Sequence, residues 1–239
     1  MPFFPFFIDY WYLILVVPAM LFALIASASV NSTFEKYQKQ LSSRRITGAD
    51  AARQVLNAHG LYNVPIRTVS GKLTDHYDPR DNTVYLSESV HNSTSTAAIG
   101  VAAHEAGHAV QHATGYLPIK IRAAIIPVTN IGSRLSIPLI LIGLLFGAWN
   151  GNYVLAYLGV ICFSLTALFQ LVTLPTEFNA SARAMRSLED GGILTGDELV
   201  GARKVLSAAA MTYVAALAVS LAQLLRLLLI VAGNSRRRN

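Results

Sequence analysis

Leu139-Ile-Leu-Ile-Gly-Leu-Leu-Phe-Gly-Ala-Trp149 is an unbroken apolar run, and the polar triplet Asn150-Gly-Asn152 follows it directly. A further apolar run begins at Tyr153 and continues to Leu174. About 20 apolar residues suffice for a helix to cross a bilayer, and a turn of about two to five residues joins antiparallel helices. The sequence therefore predicts a pair of membrane-spanning helices at residues 125–149 and 153–174.

Two more apolar blocks extend this pattern. Residues 8–30 are long enough to span the bilayer and follow no basic n-region of the kind found in secretory signal peptides, so we interpret them as a retained anchor. Residues 208–232 form the fourth predicted span. Arg226 lies close enough to its end for the side chain to snorkel to the interface, and the basic tail 233–239 follows.

The composition agrees with a membrane protein. Of the 239 residues, 53% are hydrophobic and 13% charged, whereas soluble proteins carry about 25% charged residues. The net charge of +6 comes without interleaved basic and aromatic stripes, so the lipid bilayer is a predicted partner and nucleic acid is not. Cys162 is the only cysteine, which excludes a disulfide framework and a cysteine-ligated metal site. Any metal must therefore be held by His, Asp or Glu.

Four spans place the two sizeable polar segments on the same side of the membrane. These segments are residues 31–124, between the first two spans, and residues 175–207, between the last two. We therefore expect them to build one small domain at a membrane face.

The first polar segment predicts a mixed α+β structure. Thr47 is a typical N-cap for a helix that continues to His59 and ends at Gly60. Residues 64–69 and 83–86 alternate and are rich in β-branched side chains, and turn residues occupy 78–82, so we expect a hairpin or a three-stranded sheet. A second helix is predicted from Ser93 or Thr94 to a stop at Gly115.

This second helix contains His104-Glu105-Ala-Gly-His108. Histidines four residues apart project from one face of a helix, which suits them to bind one zinc ion, and Glu105 can reach a water molecule on that ion. Gly107 costs about 1 kcal/mol of helix propensity relative to Ala, which indicates close packing or a functional need. The pattern predicts a Zn²⁺ site with His104 and His108 as ligands.

The third ligand must come from elsewhere in the chain. His112 continues the same helix face but lies about 12 Å from His104 along the axis, too far for both to bind one ion. The polar segment after the third span offers Glu177, which we expect in the first turn of a new helix, after a stop at Pro175 and an N-cap at Thr176. The other acidic residues of that segment lie in a Gly-rich, solvent-like stretch. Glu177 is the predicted third ligand.

At these residues the chain resembles the membrane zinc metallopeptidases of the YugP type, along nearly its whole length beyond the first span. The resemblance implies a zincin-like catalytic domain, zinc-dependent hydrolysis of polypeptide substrates, and Glu105 as the catalytic base. Four motifs carry it: residues 71–79, 100–112, 169–181 and 208–214.

A weaker similarity links the chain to membrane proteases with a Glu-x-x-x-Asp motif, HtpX-like enzymes among them. In that comparison Glu177 takes the ligand position, but Ser181 stands where those enzymes have an Asp that supports a metal-bound histidine. We therefore expect Asn179, or an Asp within residues 75–78, to orient the histidine instead.

The sequence predicts the parts of a peptidase mechanism. Three protein ligands leave one zinc position open for water, whose pKa falls to about 7 there, and Glu105 takes its proton. Of the candidate oxyanion donors, His76 is the first choice, because a short hairpin strand can approach the cleft as an edge strand does. The others are Tyr77, Arg183 and Tyr213.

Two alternatives remain open at this stage. An intramembrane protease would carry its motif inside a span, whereas here Gly115, Pro118 and Lys120 separate the motif helix from the second span. A non-catalytic membrane scaffold with structural zinc would close all four metal positions with protein ligands and would not need Glu105. Substitution of Glu105 by Gln distinguishes the scaffold from an enzyme.

The basic residues predict a multi-pass protein of the cell membrane with a cytoplasmic catalytic side. Ten Lys and Arg residues near the spans lie on the catalytic side and three on the other, and such residues favour the cytoplasm. On the catalytic side they are Lys36, Lys39, Arg44, Arg45, Lys120, Arg122, Arg183, Arg186, Arg203 and Lys204; on the opposite side they are Arg236, Arg237 and Arg238.

Overall fold

A computed structural model describes residues 8–236, so residues 1–7 and the end of the basic tail, 237–239, lie outside it. The described chain is largely helical, with a π-helical turn at Tyr12–Val16 before the first α-helix. The helices are α1 Val17–Tyr37, α2 Gly48–Ala58, α3 Glu88–His91, α4 Thr96–Ala113, α5 Leu117–Asn150, α6 Val154–Asp190 and α7 Asp197–Arg236. The strands are β1 Ile66–Val69, β2 His76–Asp78 and β3 Thr83–Ser87.

Four helices among residues 8–236 are long and apolar enough to cross a membrane. They are Tyr12–Tyr37, Leu117–Asn150, Val154–Asp190 and Asp197–Arg236. Together with the small sheet, they confirm the predicted fold class of a membrane α-helical protein with a small α+β domain. Each helix extends beyond the apolar block that predicted it, because polar residues at its ends continue the same helix.

The described chain divides into two compact units. We call residues 26–120 and 175–212 the polar unit, and residues 8–25, 121–174 and 213–236 the membrane unit. The polar unit thus joins chain from both polar segments of the sequence. Its buried core contains Phe34, Leu56, Leu86, Ile99 and Leu188, contributed by α1, α2, β3, α4 and α6.

The sheet of the polar unit has three strands in the order β1-β3-β2. β1 pairs with β3 in parallel, with Ile66 opposite Val84, and β2 pairs with β3 antiparallel, with Tyr77 opposite Val84. The two predicted strands correspond to β1 and β3, which pair in parallel and not as a hairpin. The hairpin is formed by β2 and β3, which residues 79–82 connect, and the sheet has the three strands of the other prediction. β2 is consequently an edge strand of this sheet.

The two helices predicted in the first polar segment are present. Thr47 caps α2 in a reciprocal arrangement with Asp50, in which each side chain accepts a hydrogen bond from the other residue's backbone N–H. The motif helix α4 is capped by Ser95, one residue beyond the predicted start, and its side chain accepts from the Ala98 N–H. Gly115, with φ 66°, follows the end of α4, as a C-terminal glycine commonly does.

The predicted helix boundary at Pro175 is wrong. α6 continues through Pro175 to Asp190, so Thr176 is not an N-cap and Glu177 lies well inside the helix. Proline removes one backbone donor and disfavours the helical conformation of the preceding residue, which usually ends a helix. Pro175 also stands at the border between the membrane unit and the polar unit.

Within the membrane unit, Arg226 forms an ion pair with Asp9. Its side chain is 4% exposed, and its Nη2 atom lies 2.7 Å from Oδ2 of Asp9. Nε of Arg226 also donates to the same oxygen at 2.9 Å, and the guanidinium lies 5.1 Å from the ring centroid of Tyr12. A carboxylate and an aromatic ring near the start of the first span therefore contact the guanidinium of Arg226.

Candidate metal centre

α4 and α6 form the centre, and their backbones approach closely where Gly107 meets Ala180. A Cβ atom at Gly107 would lie 2.8 Å from the Ala180 carbonyl oxygen, so any larger residue would force the helices apart. Gly107 precedes His108, and Ala180 follows Glu177 by less than one turn. The helix-propensity cost of this glycine therefore has a packing reason at the centre itself.

The structure brings His104, His108 and Glu177 together. Oε2 of Glu177 lies 3.3 Å from Nε2 of His104 and 3.4 Å from Nε2 of His108. The Glu177 side chain is 3% exposed, and those of His104 and His108 are 13% and 11% exposed. One possible ligand atom from each residue lies within 4.8 Å of the other two.

This donor set fits zinc. Donors bound tetrahedrally at about 2.0–2.1 Å lie about 3.3–3.4 Å from one another, which matches the two separations between carboxylate oxygen and ring nitrogen. Two imidazoles and one carboxylate are ligands that zinc accepts, and the three-residue set leaves a fourth position for water or substrate.

A hydrogen-bond network fixes the ring of His108. Nε2 of Gln111 lies 2.7 Å from the carbonyl oxygen of Thr176, which can only accept, so the amide nitrogen must be the donor there. The amide oxygen of Gln111 then faces Nδ1 of His108 at 3.0 Å. His108 must donate its Nδ1–H to that oxygen, which directs Nε2 toward Glu177.

The groups that contact Nδ1 of His104 and Nδ1 of His108 differ from those that the sequence predicted. Ser181, which appeared to be a departure from the related motif, places its hydroxyl oxygen 3.1 Å from Nδ1 of His104. Asn179 acts one step further out, accepting at Oδ1 from Gln111 at 3.0 Å. The acidic residues of the 75–78 stretch bond elsewhere: Asp75 accepts from Ser87, and Asp78 pairs with Arg80.

Sequence reasoning missed Gln111 altogether. Its side chain is fully buried, yet its position three residues after His108 in a helix carries no known metal-site signature. The available signal was a polar residue on an otherwise apolar stretch of α4, facing the same side as the two histidines.

The centre favours positive charge. Burial disfavours the charged form of the His108 ring, but the carboxylate of Glu177, with a further contribution from Glu105, outweighs that effect and raises the pKa of His108. The same two carboxylates that stabilise the imidazolium would stabilise a metal cation.

Glu105 lies next to the ligands and is anchored by the edge strand. Its side chain is largely buried, and its Oε2 atom accepts a hydrogen bond from the backbone N–H of Tyr77 at 3.0 Å. Tyr77 belongs to β2, so the carboxylate is held at the open edge of the sheet. Burial raises the pKa of the neighbouring Asp75 and the negative charge of Glu105 adds to it, while hydrogen bonds from Ser87 oppose the increase.

The remaining sequence candidates have contacts of their own, and Tyr213 belongs to the membrane unit. His76 is exposed on β2, stacked on Tyr85 with ring centroids 5.0 Å apart, and its Nδ1 lies 2.8 Å from the Thr74 carbonyl oxygen. The ring of His112 lies 5.9 Å from that of Tyr77, away from the three-residue set. Arg183 donates from Nε to Asn179 at 2.7 Å, which occupies one of its nitrogens.

Comparison with known proteins agrees with this geometry. Residues 12–232 match a protein family described as "Putative neutral zinc metallopeptidase". The chain is also 47% identical over 219 residues to a Bacillus subtilis (strain 168) protein described as "Putative membrane protease YugP", covering 92% of this chain and 96% of that protein. No solved structure matches the chain. The family match includes His104, Glu105, His108 and Glu177 within its range.

Proposed function

The chain belongs to the protein family described as "Putative neutral zinc metallopeptidase", and from that premise we propose that it is an integral-membrane zinc endopeptidase. The observation that carries the proposal is the convergence of His104, His108 and Glu177 from two helices. The carboxylate of Glu105 lies beside them and is not one of the three ligands. A purely structural zinc site has no use for such a carboxylate.

In this proposal the ligands are His104, His108 and Glu177. Zinc bound there supplies Lewis acidity that makes water acidic near neutral pH and polarises a carbonyl group. Glu105 accepts the proton of the attacking water and later delivers it to the leaving amine. Its hydrogen bond from the Tyr77 N–H holds one carboxylate oxygen, so the other oxygen can face the water.

We propose that the substrate polypeptide lies along β2. In an antiparallel pair, N–H and C=O groups of successive residues alternate between the partner strand and the opposite side. The backbone N–H of Tyr77 donates to Glu105, so this N–H group points away from β3 and toward the centre. A substrate segment added at that edge would bring its backbone beside the base. His76 on the same strand is the proposed oxyanion donor, through its Nε2 atom.

We further propose that the substrates are polypeptides at the membrane surface, including membrane proteins that are processed or removed by quality control. The supporting observation is that the centre lies in the polar unit, whose helices α1, α6 and α7 belong to the four candidate spans. Lys and Arg distribution supports a cytoplasmic location for this unit.

The decisive experiment compares the wild type with Glu105→Gln after purification in detergent. Gln is nearly isosteric with Glu but cannot accept the water's proton, so we expect cleavage of casein to fall by at least about 100-fold while bound zinc is retained. Glu88→Gln, an exposed change in α3, is the matched control and should keep full activity. Retained cleavage in Glu105→Gln would refute the base assignment, and absence of zinc from the wild type would refute the metallopeptidase.

A further inference from the structure

A groove of about 360 Å³ lies between α1 and α7 in the polar unit, and it shares no residue with the metal centre. Four residues of each helix form its walls, at the spacing of a single helix face. They are Ser29, Thr33, Lys36 and Tyr37 from α1, and Lys204, Ser207, Ala208 and Met211 from α7.

The polar lining of the groove is suited to an anion. Lys36 and Lys204 contribute two positive charges, four hydroxyl-bearing side chains line the same groove, and none of the lining residues is acidic. Within residues 8–236, neither lysine forms an ion pair with a carboxylate. By contrast, Glu35, the sequence neighbour of Lys36, is engaged 3.0 Å from Nζ of Lys72.

The groove also lies at the level where two membrane spans meet the aqueous phase. The apolar block of α1 ends at Val30, one residue after Ser29, and the apolar block of α7 begins at Ala208. The two lysines therefore occupy one end of the groove, whereas Ser29, Ala208 and Met211 lie at its membrane end. A molecule with an anionic head and an apolar tail matches both ends.

We propose that this groove binds the phosphate group of an anionic phospholipid from the surrounding leaflet. The two lysines and the hydroxyl groups donate hydrogen bonds to the phosphate oxygens, and the first methylene groups of the acyl chains lie against Met211. Basic pockets between membrane helices at headgroup depth recognise anionic lipids in this manner. The lipid would join α1 to α7 on the side of the membrane that carries the metal centre.

The test measures how much phosphatidylglycerol stays bound when the purified protein, in a neutral detergent, is titrated with that lipid and analysed by native mass spectrometry. Each lysine near a membrane surface contributes about 1 kcal/mol, so Lys36→Gln combined with Lys204→Gln should weaken binding roughly 30-fold. The matched control combines Lys39→Gln with Arg203→Gln, which removes the same charge from neighbouring positions outside the groove.

The site is supported if phosphatidylglycerol binding weakens only in the variant that lacks both groove lysines. The wild type and this variant should both bind phosphatidylcholine poorly. Equal weakening in the two double variants would show a general surface-charge effect and overturn it, as would unchanged binding in both. Displacement of the lipid by inorganic phosphate alone would assign the groove to a soluble anion instead. Should the double variant not fold, each single lysine variant must show about a fivefold loss for the proposal to stand.

Discussion

Glu177 lies where the two ligand helices meet, and it is the acidic member of the proposed zinc site. Substitution by Ala removes the only carboxylate within 3.4 Å of both histidine Nε2 atoms among residues 8–236. We expect zinc occupancy of the purified protein, measured by atomic emission, to fall from about one to below about 0.2 per chain, because two histidines alone bind zinc weakly. Glu189→Ala, exposed on the same helix, should leave occupancy unchanged; a Glu177→Ala protein with full zinc would contradict the ligand assignment.

Gln111 is predicted to act as a positioning residue for His108. Gln111→Leu removes the acceptor that fixes the Nδ1–H of His108, so we expect zinc affinity to fall by about 10- to 100-fold. Gln111→Glu keeps an acceptor for His108 but loses the donor to the Thr176 carbonyl. Its zinc affinity should therefore exceed that of Gln111→Leu in a competition titration with a chelating dye. Equal affinities for the two variants would show that the contact with His108 has no such role.

Single residues around the centre differ in how far sequence alone could identify them. A metal requires donor atoms at fixed separations, so the i,i+4 histidines and a carboxylate from the other polar segment could be predicted. Gln111 and Ser181 could not, because an uncharged hydrogen-bonding group can approach a ring from many positions and leaves no spacing rule. The role of the Tyr77 backbone N–H could not be predicted either, since any residue type except proline would offer the same donor at that position.

Among the secondary-structure elements, α6 differs from the structure that its local sequence predicts. The proline rule predicts a stop at residue 175, yet the helix continues through it. Side chains from outside the helix contact the carbonyl oxygens of Pro175 and Thr176. The hydroxyl of Tyr116 lies 3.4 Å from the Pro175 carbonyl oxygen, and the Thr176 carbonyl accepts from Gln111. Glycine and proline rules describe isolated backbone preferences, and they contain no information about these contacts.

The cap of α2, in contrast, was predicted from local sequence and supports a test of its own. Thr47→Ala removes both hydrogen bonds of the Thr47 hydroxyl with Asp50 and keeps the bond from the Thr47 backbone N–H. We therefore expect the polar unit to lose about 1 kcal/mol of stability, seen as a lower melting temperature in detergent. Asn57→Ala, exposed near the end of the same helix, should change it little. A Thr47→Ala protein as stable as the wild type would contradict the cap.

The same cap predicts a pH dependence. The hydrogen bonds from the Thr47 side chain and backbone lower the pKa of Asp50 below 3.8. A lowered folded-state pKa gives a stabilisation that is complete above about pH 3.8 and is lost as the pH falls further. The difference in melting temperature between wild type and Thr47→Ala should therefore narrow on acidification; a widening difference would contradict the sign.

At the scale of the whole molecule, sidedness remains the central prediction. Asn63 is an exposed turn residue of the polar unit and is therefore a suitable position for a reporter cysteine. With Cys162 replaced by Ala, a cysteine at position 63 should react with a membrane-impermeant maleimide only after cell lysis. A cysteine added after Asn239 should react in intact cells. Labelling of position 63 in intact cells would overturn the cytoplasmic assignment.

The association of the two polar segments could be predicted because it depends only on the number of spans. Span count determines which segments share a side, and the polar unit indeed contains residues from 31–120 and 175–207. The pairing of Asp9 with Arg226 was not predictable, because hydropathy ranks residues singly and does not indicate which two charges will meet.

That ion pair has a consequence for how the protein is made. Asp9 and Arg226 are 217 positions apart in the chain, so the ribosome releases the acidic partner long before it has produced the basic one. During that interval Asp9 must stay hydrated at the membrane surface or meet a substitute cation, because an unpaired carboxylate is costly in lipid. We therefore expect the first helix to reach its final depth only after the last helix has been synthesised and inserted. The contact between Asp9 and Arg226 would then form only when the chain is complete.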